Sequence, residues 1–223
     1  MLAKENLSDK LVIIIKNKII HNELKSGQII QETKISKEWG ISRSPVRDAL
    51  RTLEQQRLIE RTPSGSYRVS ELSVDYIMNF YDTISIMSQY GITKAIEKAD
   101  KEDIRLFEAI IEKIEKSQEE KDIDMNIQGT IEFGRAVLKV AGNQIVEKIL
   151  IELMPNAERI HYASITHLPD NLEIYVNYMK KCYRNILKKD VNKAVKAFAN
   201  FIVVHKRMAL EGIRERKEAY LDF

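Results

Sequence analysis

The sequence predicts a mostly α fold, with an N-terminal winged helix-turn-helix that includes a small β-hairpin wing and a C-terminal all-α bundle. Three observations predict this fold class. Apolar residues recur at helical spacing along most of the 223 residues. One short segment near residue 60 changes to alternating apolar residues around a Pro-Ser-Gly turn. Only 8 glycines and 4 prolines interrupt the chain. We therefore expect two domains, over 1–73 and 74–223.

Three short helices are expected in the first domain. The first spans Leu7–Leu24 and ends before Gly27. The second is the segment QETKISKEW, which ends at Gly40. The third follows a tight turn and starts at Ser42 or Ser44, because a serine oxygen can accept a hydrogen bond from the unpaired N–H groups of a first helical turn.

The segment after the third helix predicts a β-hairpin. Leu58 and Ile59 precede the Pro-Ser-Gly turn at 63–65, and Tyr67 and Val69 follow it. The predicted order is therefore helix, helix, tight turn, helix and hairpin, which is the order of a winged helix-turn-helix.

The rest of the chain is expected to be helical throughout. Asp100 with Asp103, and Asp170 with Glu173, have the spacing of N-terminal caps, and Gly142 breaks the pattern. Helices are predicted over 74–98, 101–120, 125–141, 143–162, 171–188 and 190–217.

Charge and cysteine content limit the class of protein. Residues 1–73 contain 13 Lys and Arg against 9 Asp and Glu, whereas the remaining residues contain 23 against 24. This excess of positive charge in the first domain is a modest indication of a polyanionic partner. The sequence contains no apolar run of membrane-spanning length, we expect no signal peptide because its first residues lack a long apolar core and a small-residue cleavage site, and Cys182 is its single cysteine. We therefore expect a cytoplasmic protein without a membrane partner.

The third helix has two different faces. Arg43, Arg47 and Arg51 repeat every four residues and share one of them. The other carries an apolar stripe of Val46, Ala49, Leu50 and Leu53. A recognition helix needs this arrangement, because one face holds it on its domain while arginine forks reach guanine or phosphate. We expect Arg43 and Arg47 to contact DNA, with little competing negative charge before Asp48; the alternative is a solvated basic face.

The segment GISRSPVRDAL, from Gly40 to Leu50, resembles the G-[IV]-S-R-x-P-V-R-[ED]-A-L hallmark of GntR-type bacterial transcription regulators. The resemblance extends over roughly residues 11–69 and implies that this domain binds DNA. The chain departs from the family pattern at two positions. Thr33, beside Lys34, stands where an arginine of the family often contacts DNA, and Arg57 stands where a glycine is usual. The predicted DNA-binding residues are Thr33, Lys34, Ser42, Arg43, Ser44, Arg47, Ser64 and Gly65.

The segment FGRAVLKVAGNQIVEKIL, at 133–150, resembles more weakly the FCD-type effector domain of the FadR-like branch of this family. In many such relatives an aspartate and three histidines hold a divalent metal that helps to bind a carboxylate. The corresponding positions are Thr130, Gly134, Met179 and Phe201, and an arginine of the domain's first helix corresponds to Ile84. None of the four is a suitable metal ligand. We therefore expect no metal or other cofactor, and an effector larger or less acidic than a small carboxylate.

Other chemically active side chains of the helical domain are expected to have structural roles. His161 and His167 are expected near a helix end, solvated or capping, with a role as metal ligands as the alternative, and His205 is expected to be a packed or interface histidine. Cys182 is expected to be buried and inert, with a redox-sensing thiolate as the alternative. The tyrosines of this domain are expected at the edge of the core with a solvated hydroxyl, and the alternative is that they line a pocket for an apolar effector. They are Tyr76, Tyr81, Tyr90, Tyr162, Tyr175, Tyr178 and Tyr183.

These observations predict a transcriptional regulator that binds double-stranded DNA, and not an enzyme. We expect a ligand-responsive repressor that acts as a homodimer on a palindromic operator, with a small-molecule effector unless the helical domain serves only dimerisation. The alternative is a helical small-molecule-binding or catalytic protein that uses the winged helix for protein contact. The sequence shows no glycine-rich phosphate loop and no nucleophile paired with a base at motif spacing.

Overall fold

Two compact units make up the computed structural model, which describes residues 7–167 and 172–221. One unit ends at Leu72 and the other begins at Ser73. No helix in the described ranges combines the length and the apolar character that crossing a membrane requires.

The first unit combines three helices with a small antiparallel sheet. In chain order its described elements are α1 (Leu7–Ile20), β1 (Ile29–Ile30), α2 (Glu32–Trp39), α3 (Arg43–Gln55), β2 (Ile59–Arg61) and β3 (Tyr67–Val69). The strands lie in the order β1-β3-β2, and Glu60 of β2 is paired with Arg68 of β3.

The predicted winged helix-turn-helix is confirmed, with one strand that the sequence did not indicate. Ile29 and Ile30 form β1, which pairs with Arg68 and Tyr67 of β3. Two residues are too few to show the alternation by which a strand is recognised. The first helix ends at Ile20, earlier than predicted.

Helix α3 lies at the centre of the first unit's core. All four residues of its apolar stripe are fully buried, and they belong to one cluster with Leu11 and Ile15 of α1 and Val69 of β3. Each fully buried valine or leucine side chain contributes about 1.5–3 kcal/mol, so the stripe fixes α3 firmly on the unit. Gly40 ends α2 at a φ of +66°, a left-handed conformation that suits glycine and lets the chain turn directly into α3.

Within its described residues, the second unit consists of helices and the short turns that join them. Its elements are α4 (Val74–Lys98), α5 (Lys101–Glu120), α6 (Ile123–Ala141), α7 (Gln144–His167), α8 (Leu172–Leu187) and α9 (Val191–Leu221). Helices α4 and α5 have the predicted bounds, whereas α7 continues to His167 instead of ending at 162. Asp100 and Asp103 form the predicted capping box of α5. Asp170, the other predicted cap, lies outside the described residues.

Helix α6 packs closely against both α4 and α5 at glycine positions. A Cβ atom on Gly91 of α4 would lie 2.6 Å from Cδ2 of Leu138 on α6. A Cβ atom on Gly129 of α6 would likewise lie 2.6 Å from Cγ1 of Ile114 on α5. These contacts let the helix backbones approach closely.

Candidate functional site

The arginine face of α3 is exposed, as the sequence predicts. Arg43, Arg47 and Arg51 are all exposed, while the opposite stripe of the helix is buried. The residues predicted to bind DNA are exposed without exception: Thr33, Lys34, Ser42, Arg43, Ser44, Arg47, Ser64 and Gly65.

A carboxylate from α2 lies against this arginine face. Nε and Nη2 of Arg47 donate hydrogen bonds to the two carboxylate oxygens of Glu32, at 3.2 and 2.9 Å. These hydrogen bonds are the main reason that the pKa of the Glu32 carboxyl is lowered, and the positive charges of Arg43 and Arg51 lower it further. The expectation of little competing negative charge near Arg47 is therefore wrong, because the helix-turn-helix fold brings Glu32 beside a residue 15 positions later.

The start of α3 leaves polar groups available to a ligand. Ser42 is the N-cap residue, yet within the described part of the chain its side chain makes no capping hydrogen bond. Ser44, in the first turn, is exposed as well. The unpaired N–H groups of a helix N-terminus favour an anion such as a phosphate, so both hydroxyls and this turn can contact a nucleic-acid backbone.

The wing between β2 and β3 ends in a tight turn. Thr62 and Ser66 close it, with the Thr62 N–H and hydroxyl both donating to the Ser66 carbonyl, at 2.8 and 3.1 Å. Gly65 has a φ of +83°, and open space surrounds the position that its Cβ would take among the described residues. The turn thus requires glycine for its backbone conformation and presents Ser64 and Gly65 at an exposed tip.

Arg61, at the end of β2, extends the basic surface and was missed in the sequence. Its guanidinium lies over the Tyr67 ring, 5.4 Å from the ring centre, and Nη2 donates to the Tyr67 hydroxyl at 3.4 Å. The positive charge of Arg47 lies close enough to oppose the upward shift of the pKa of Arg61. The sequence feature that could have identified Arg61 is its position next to the wing turn, where a basic side chain can reach the same ligand as α3.

The second unit contains a cavity of about 110 Å³ bounded by α4, α6, α7 and α9. Its wall consists mainly of apolar side chains, among them Met87, Phe133, Met154 and Phe198. Thr130, Gly134 and Ile84 also line it.

Two neutral histidines form one side of this cavity. His161 and His205 stand edge to face, with ring centres 4.3 Å apart. The ring nitrogens of His205 share hydrogen bonds with the Tyr81 hydroxyl at 2.5 Å and with the Ser164 hydroxyl at 2.9 Å. By contrast, Nε2 of His161 is buried and has no hydrogen-bond partner among the described residues, and the same holds for Oγ1 of Thr130.

Burial keeps both imidazoles uncharged. It lowers the pKa of His161 to about 3, and it lowers that of His205 well below the ordinary value, with the neighbouring His161 adding to the effect. The expectation that His161 is solvated or capping is wrong: α7 continues past it, and the residue is only 2% exposed. The expected packing of His205 is confirmed, while the side chain of His167 lies outside the described residues.

Matches to two family models account for most of the chain. Residues 7–69 match the family described as bacterial regulatory proteins, gntR family, and residues 80–203 match the FCD domain. The chain belongs to the GntR family. It is therefore a GntR-family transcriptional regulator that carries an FCD domain.

Individual GntR-type proteins resemble the chain over different lengths. An uncharacterized HTH-type transcriptional regulator of Bacillus subtilis, YdhC, is 29% identical over 103 residues, which cover 46% of each protein. The gluconate operon transcriptional repressor of the same organism is 21% identical over 203 residues, covering 86% of this chain and 83% of that protein. The solved structure of E. coli McbR/YncC has a TM-score of 0.77 at 16% identity, covering 93% of this chain and 99% of that one. At that identity the structural likeness shows a shared fold.

The residues of this FCD domain do not fit the metal that many relatives hold. Of the four corresponding positions, Thr130, Gly134 and Phe201 line the cavity, and Met179 is buried. A hydroxyl, a hydrogen, a phenyl ring and a thioether supply neither the imidazole nor the carboxylate of such a centre. That the GntR-family protein binds no metal stays a prediction.

The remaining expectations for the FCD domain have mixed outcomes. The hydroxyls of Tyr81 and Tyr175 are not solvated as expected: that of Tyr81 bonds His205, and that of Tyr175 donates to Sδ of Met208 at 2.7 Å. The expected burial of Cys182 is confirmed, and it raises the pKa of the thiol to about 12. A thiol in that state is a poor redox sensor.

Proposed function

We propose that this GntR-family regulator binds a palindromic operator as a homodimer, through residues 1–73, and that residues 74–223 form its dimerisation and effector-binding domain. The observation that carries the proposal is the position of Arg43, Arg47 and Arg51 on an exposed face of a helix whose other face is wholly buried. A helix held in this way can enter the major groove without losing its packing.

Each predicted DNA-binding residue receives a role in this proposal. Arg43 and Arg47 reach base edges, since the planar arginine fork donates two parallel hydrogen bonds to guanine. Ser42 and Ser44 contact phosphate at the helix N-terminus. Thr33 and Lys34 are exposed on α2 and contact the DNA backbone beside the recognition helix. Ser64 and Gly65, at the tip of the wing, lie in the minor groove.

A homodimer explains how a single small winged helix attains operator affinity. One copy neutralises few phosphates, whereas two copies on a two-fold axis contact two half-sites about one helical turn apart or less. Exposed apolar side chains of the helical unit support a subunit interface there, because Ile86, Ile145 and Val203 are each more than 60% exposed, at 72%, 74% and 63%.

We further propose that the protein is a repressor released by a small-molecule effector. The similarity to the gluconate operon transcriptional repressor over 86% of the chain supports the first part, and the cavity in the FCD domain supports the second. The protein would act in the cytoplasm, where DNA is accessible, and would need no catalytic activity.

Salt dependence of DNA binding tests this function against protein docking by the winged helix. Fluorescence anisotropy with a labelled duplex measures the dissociation constant of the full-length protein at several salt concentrations. Neutralisation of phosphates predicts that affinity falls by roughly a thousandfold between about 50 and 200 mM salt. A salt-insensitive association with DNA, or none, would contradict the proposal. Light scattering on the same samples should give the mass of a dimer, and a monomer at micromolar concentration would contradict the assembly.

A further inference from the structure

We propose that the cavity of the helical unit binds a small uncharged ligand with an apolar body and one hydroxyl group, such as a phenol or a cyclic alcohol, which pairs with His161 and Thr130. This inference rests on the proposed effector function of that unit and names the chemistry of the effector.

The lining of the cavity selects for a neutral ligand. It contains no Asp, Glu, Lys or Arg among the described residues. The two histidines at its side are neutral because they are buried. A carboxylate brought into this cavity would lose its hydration without gaining a counter-charge or a metal, and burying an unpaired charge is strongly unfavourable.

Two unpaired polar atoms select for a single hydroxyl group. His161 and Thr130 both line the cavity, and Nε2 of the first and Oγ1 of the second are buried without a hydrogen-bond partner among the described residues. Buried polar groups are normally hydrogen-bonded, so such atoms mark a place for a missing partner. A ligand hydroxyl both donates and accepts, and it can therefore satisfy the imidazole and the threonine together. His205 does not compete for it, since Tyr81 and Ser164 already occupy both of its ring nitrogens.

The size of the cavity limits the apolar body of the ligand. Its volume is about 110 Å³, and a dry apolar cavity of about 150 Å³ accepts benzene. Gly134 contributes to this space, because a Cβ atom placed there would meet no described atom within 4 Å. Since this cavity is the smaller of the two, a single six-membered ring with one hydroxyl is the upper limit, and the flexible side chains of Met87 and Met154 in its wall have to adjust to admit it.

Matched probe compounds test the proposal on the full-length protein. Phenol, toluene and benzoate have one ring each and differ in a hydroxyl, a methyl and a carboxylate group, and ligand-observed NMR titration measures the binding of each. We expect saturable binding of phenol, weaker binding of toluene, and none of benzoate. Benzoate binding as tightly as phenol, or no saturable binding of phenol, would overturn the inference.

Three substitutions separate the hydroxyl contacts from the apolar cavity. His161→Phe and Thr130→Val should each weaken phenol binding about three- to tenfold, as expected for one hydrogen bond, and should leave toluene binding unchanged. Gly134→Leu should abolish the binding of both compounds by filling the cavity. Leu106→Ala, at an exposed position of α5 away from the cavity, is the control. If His161→Phe does not fold, Thr130→Val gives the same test. An unchanged affinity for phenol in the folded His161→Phe and Thr130→Val variants would overturn the proposal.

Two further measurements keep this inference distinct from the proposed function. Duplex binding by the same samples shows whether the protein is a DNA-binding regulator, whatever the phenol result. Phenol binding without DNA binding would support the proposed ligand chemistry and contradict the proposed DNA-binding function. DNA binding without phenol binding would contradict only the proposed ligand chemistry. The protein is also exposed to zinc, nickel and manganese, desalted, and assayed by mass spectrometry. Stoichiometric metal would overturn the proposal of a metal-free ligand site.

Discussion

Glu32 and Arg47 form a two-point ion pair that joins α2 to the exposed face of α3. The two guanidinium nitrogens lie 2.9 and 3.2 Å from the carboxylate oxygens. The pair holds the planar fork of one arginine in a fixed direction while Arg43 stays exposed beside it. Glu32 is therefore expected to position a DNA-contacting side chain, and to place a negative charge next to the path of the DNA.

Replacing Glu32 separates these two effects. Glu32→Gln keeps a hydrogen-bond acceptor and removes the charge, so we expect stronger binding to random duplex and a lower ratio of operator to random affinity. The stability of the fold should change by less than about 1 kcal/mol, because Arg47 is exposed and Glu32 is only partly buried. Anisotropy with operator and scrambled duplexes measures the ratio, and Glu38→Gln, at an exposed position of the same helix, is the control. A ratio that does not fall would show that the pair has no positioning role.

Loss of either recognition arginine should weaken operator binding. Arg43→Ala and Arg47→Ala are each expected to cost about 1–3 kcal/mol of operator affinity, the value of one guanine-directed fork. Anisotropy at fixed salt measures the loss, and circular dichroism verifies that each variant is folded. Arg105→Ala removes an equally exposed arginine from α5 and should have little effect. Unchanged affinity in both recognition-helix variants would remove α3 from the interface.

Much of the fold could be predicted because its signals are local. The stripe of α3, the capping box at Asp100 and the wing turn at Gly65 each depend on residues a few positions apart. The Glu32–Arg47 pair and the contact between His161 and His205 could not be predicted, because tertiary packing joins residues that are distant in the chain. The separation of the histidines in the sequence excluded a helical metal motif, and it also concealed that the bundle brings their rings together edge to face.

Arg57 adopts a backbone conformation that favours glycine. It follows α3 with a φ of +57°, and a side chain in the left-handed region costs about 1–2 kcal/mol. Arg57→Gly should therefore stabilise the fold, by about 0.5–1 kcal/mol after the greater freedom of glycine in the unfolded chain is included. Urea unfolding measures the change. Arg51→Gly, inside α3, should instead destabilise by about 1 kcal/mol, and the same sign for both variants would contradict the prediction.

The buried histidines predict a loss of stability in mild acid. Their pKa values are lowered in the folded protein, that of His161 to about 3, whereas an unfolded histidine has a pKa of about 6.5. Between these values the unfolded state binds more protons, so the free energy of unfolding is constant above about pH 6.5 and decreases as the pH falls below it. Each histidine contributes at most about 1.4 kcal/mol per pH unit.

Thermal unfolding between pH 5 and pH 8 measures this dependence. The melting temperature of the wild type should decrease from pH 6.5 to pH 5 more steeply than that of His161→Phe, since the phenyl ring has no proton to bind. Thr130→Val, which changes the same cavity without removing a titratable group, is the control and should keep the wild-type slope. Equal slopes for the wild type and His161→Phe would show that His161 does not stay neutral in the fold.

Selection of binding sequences from a randomised duplex pool tests the proposed recognition of a palindromic operator most directly. The full-length protein should enrich sequences that share an inverted repeat, with half-sites about one helical turn apart or less. The double variant Arg43→Ala/Arg47→Ala, selected in parallel, should enrich no such repeat. Failure of the wild type to enrich a common sequence, or enrichment of the same repeat by the double variant, would contradict operator recognition by α3.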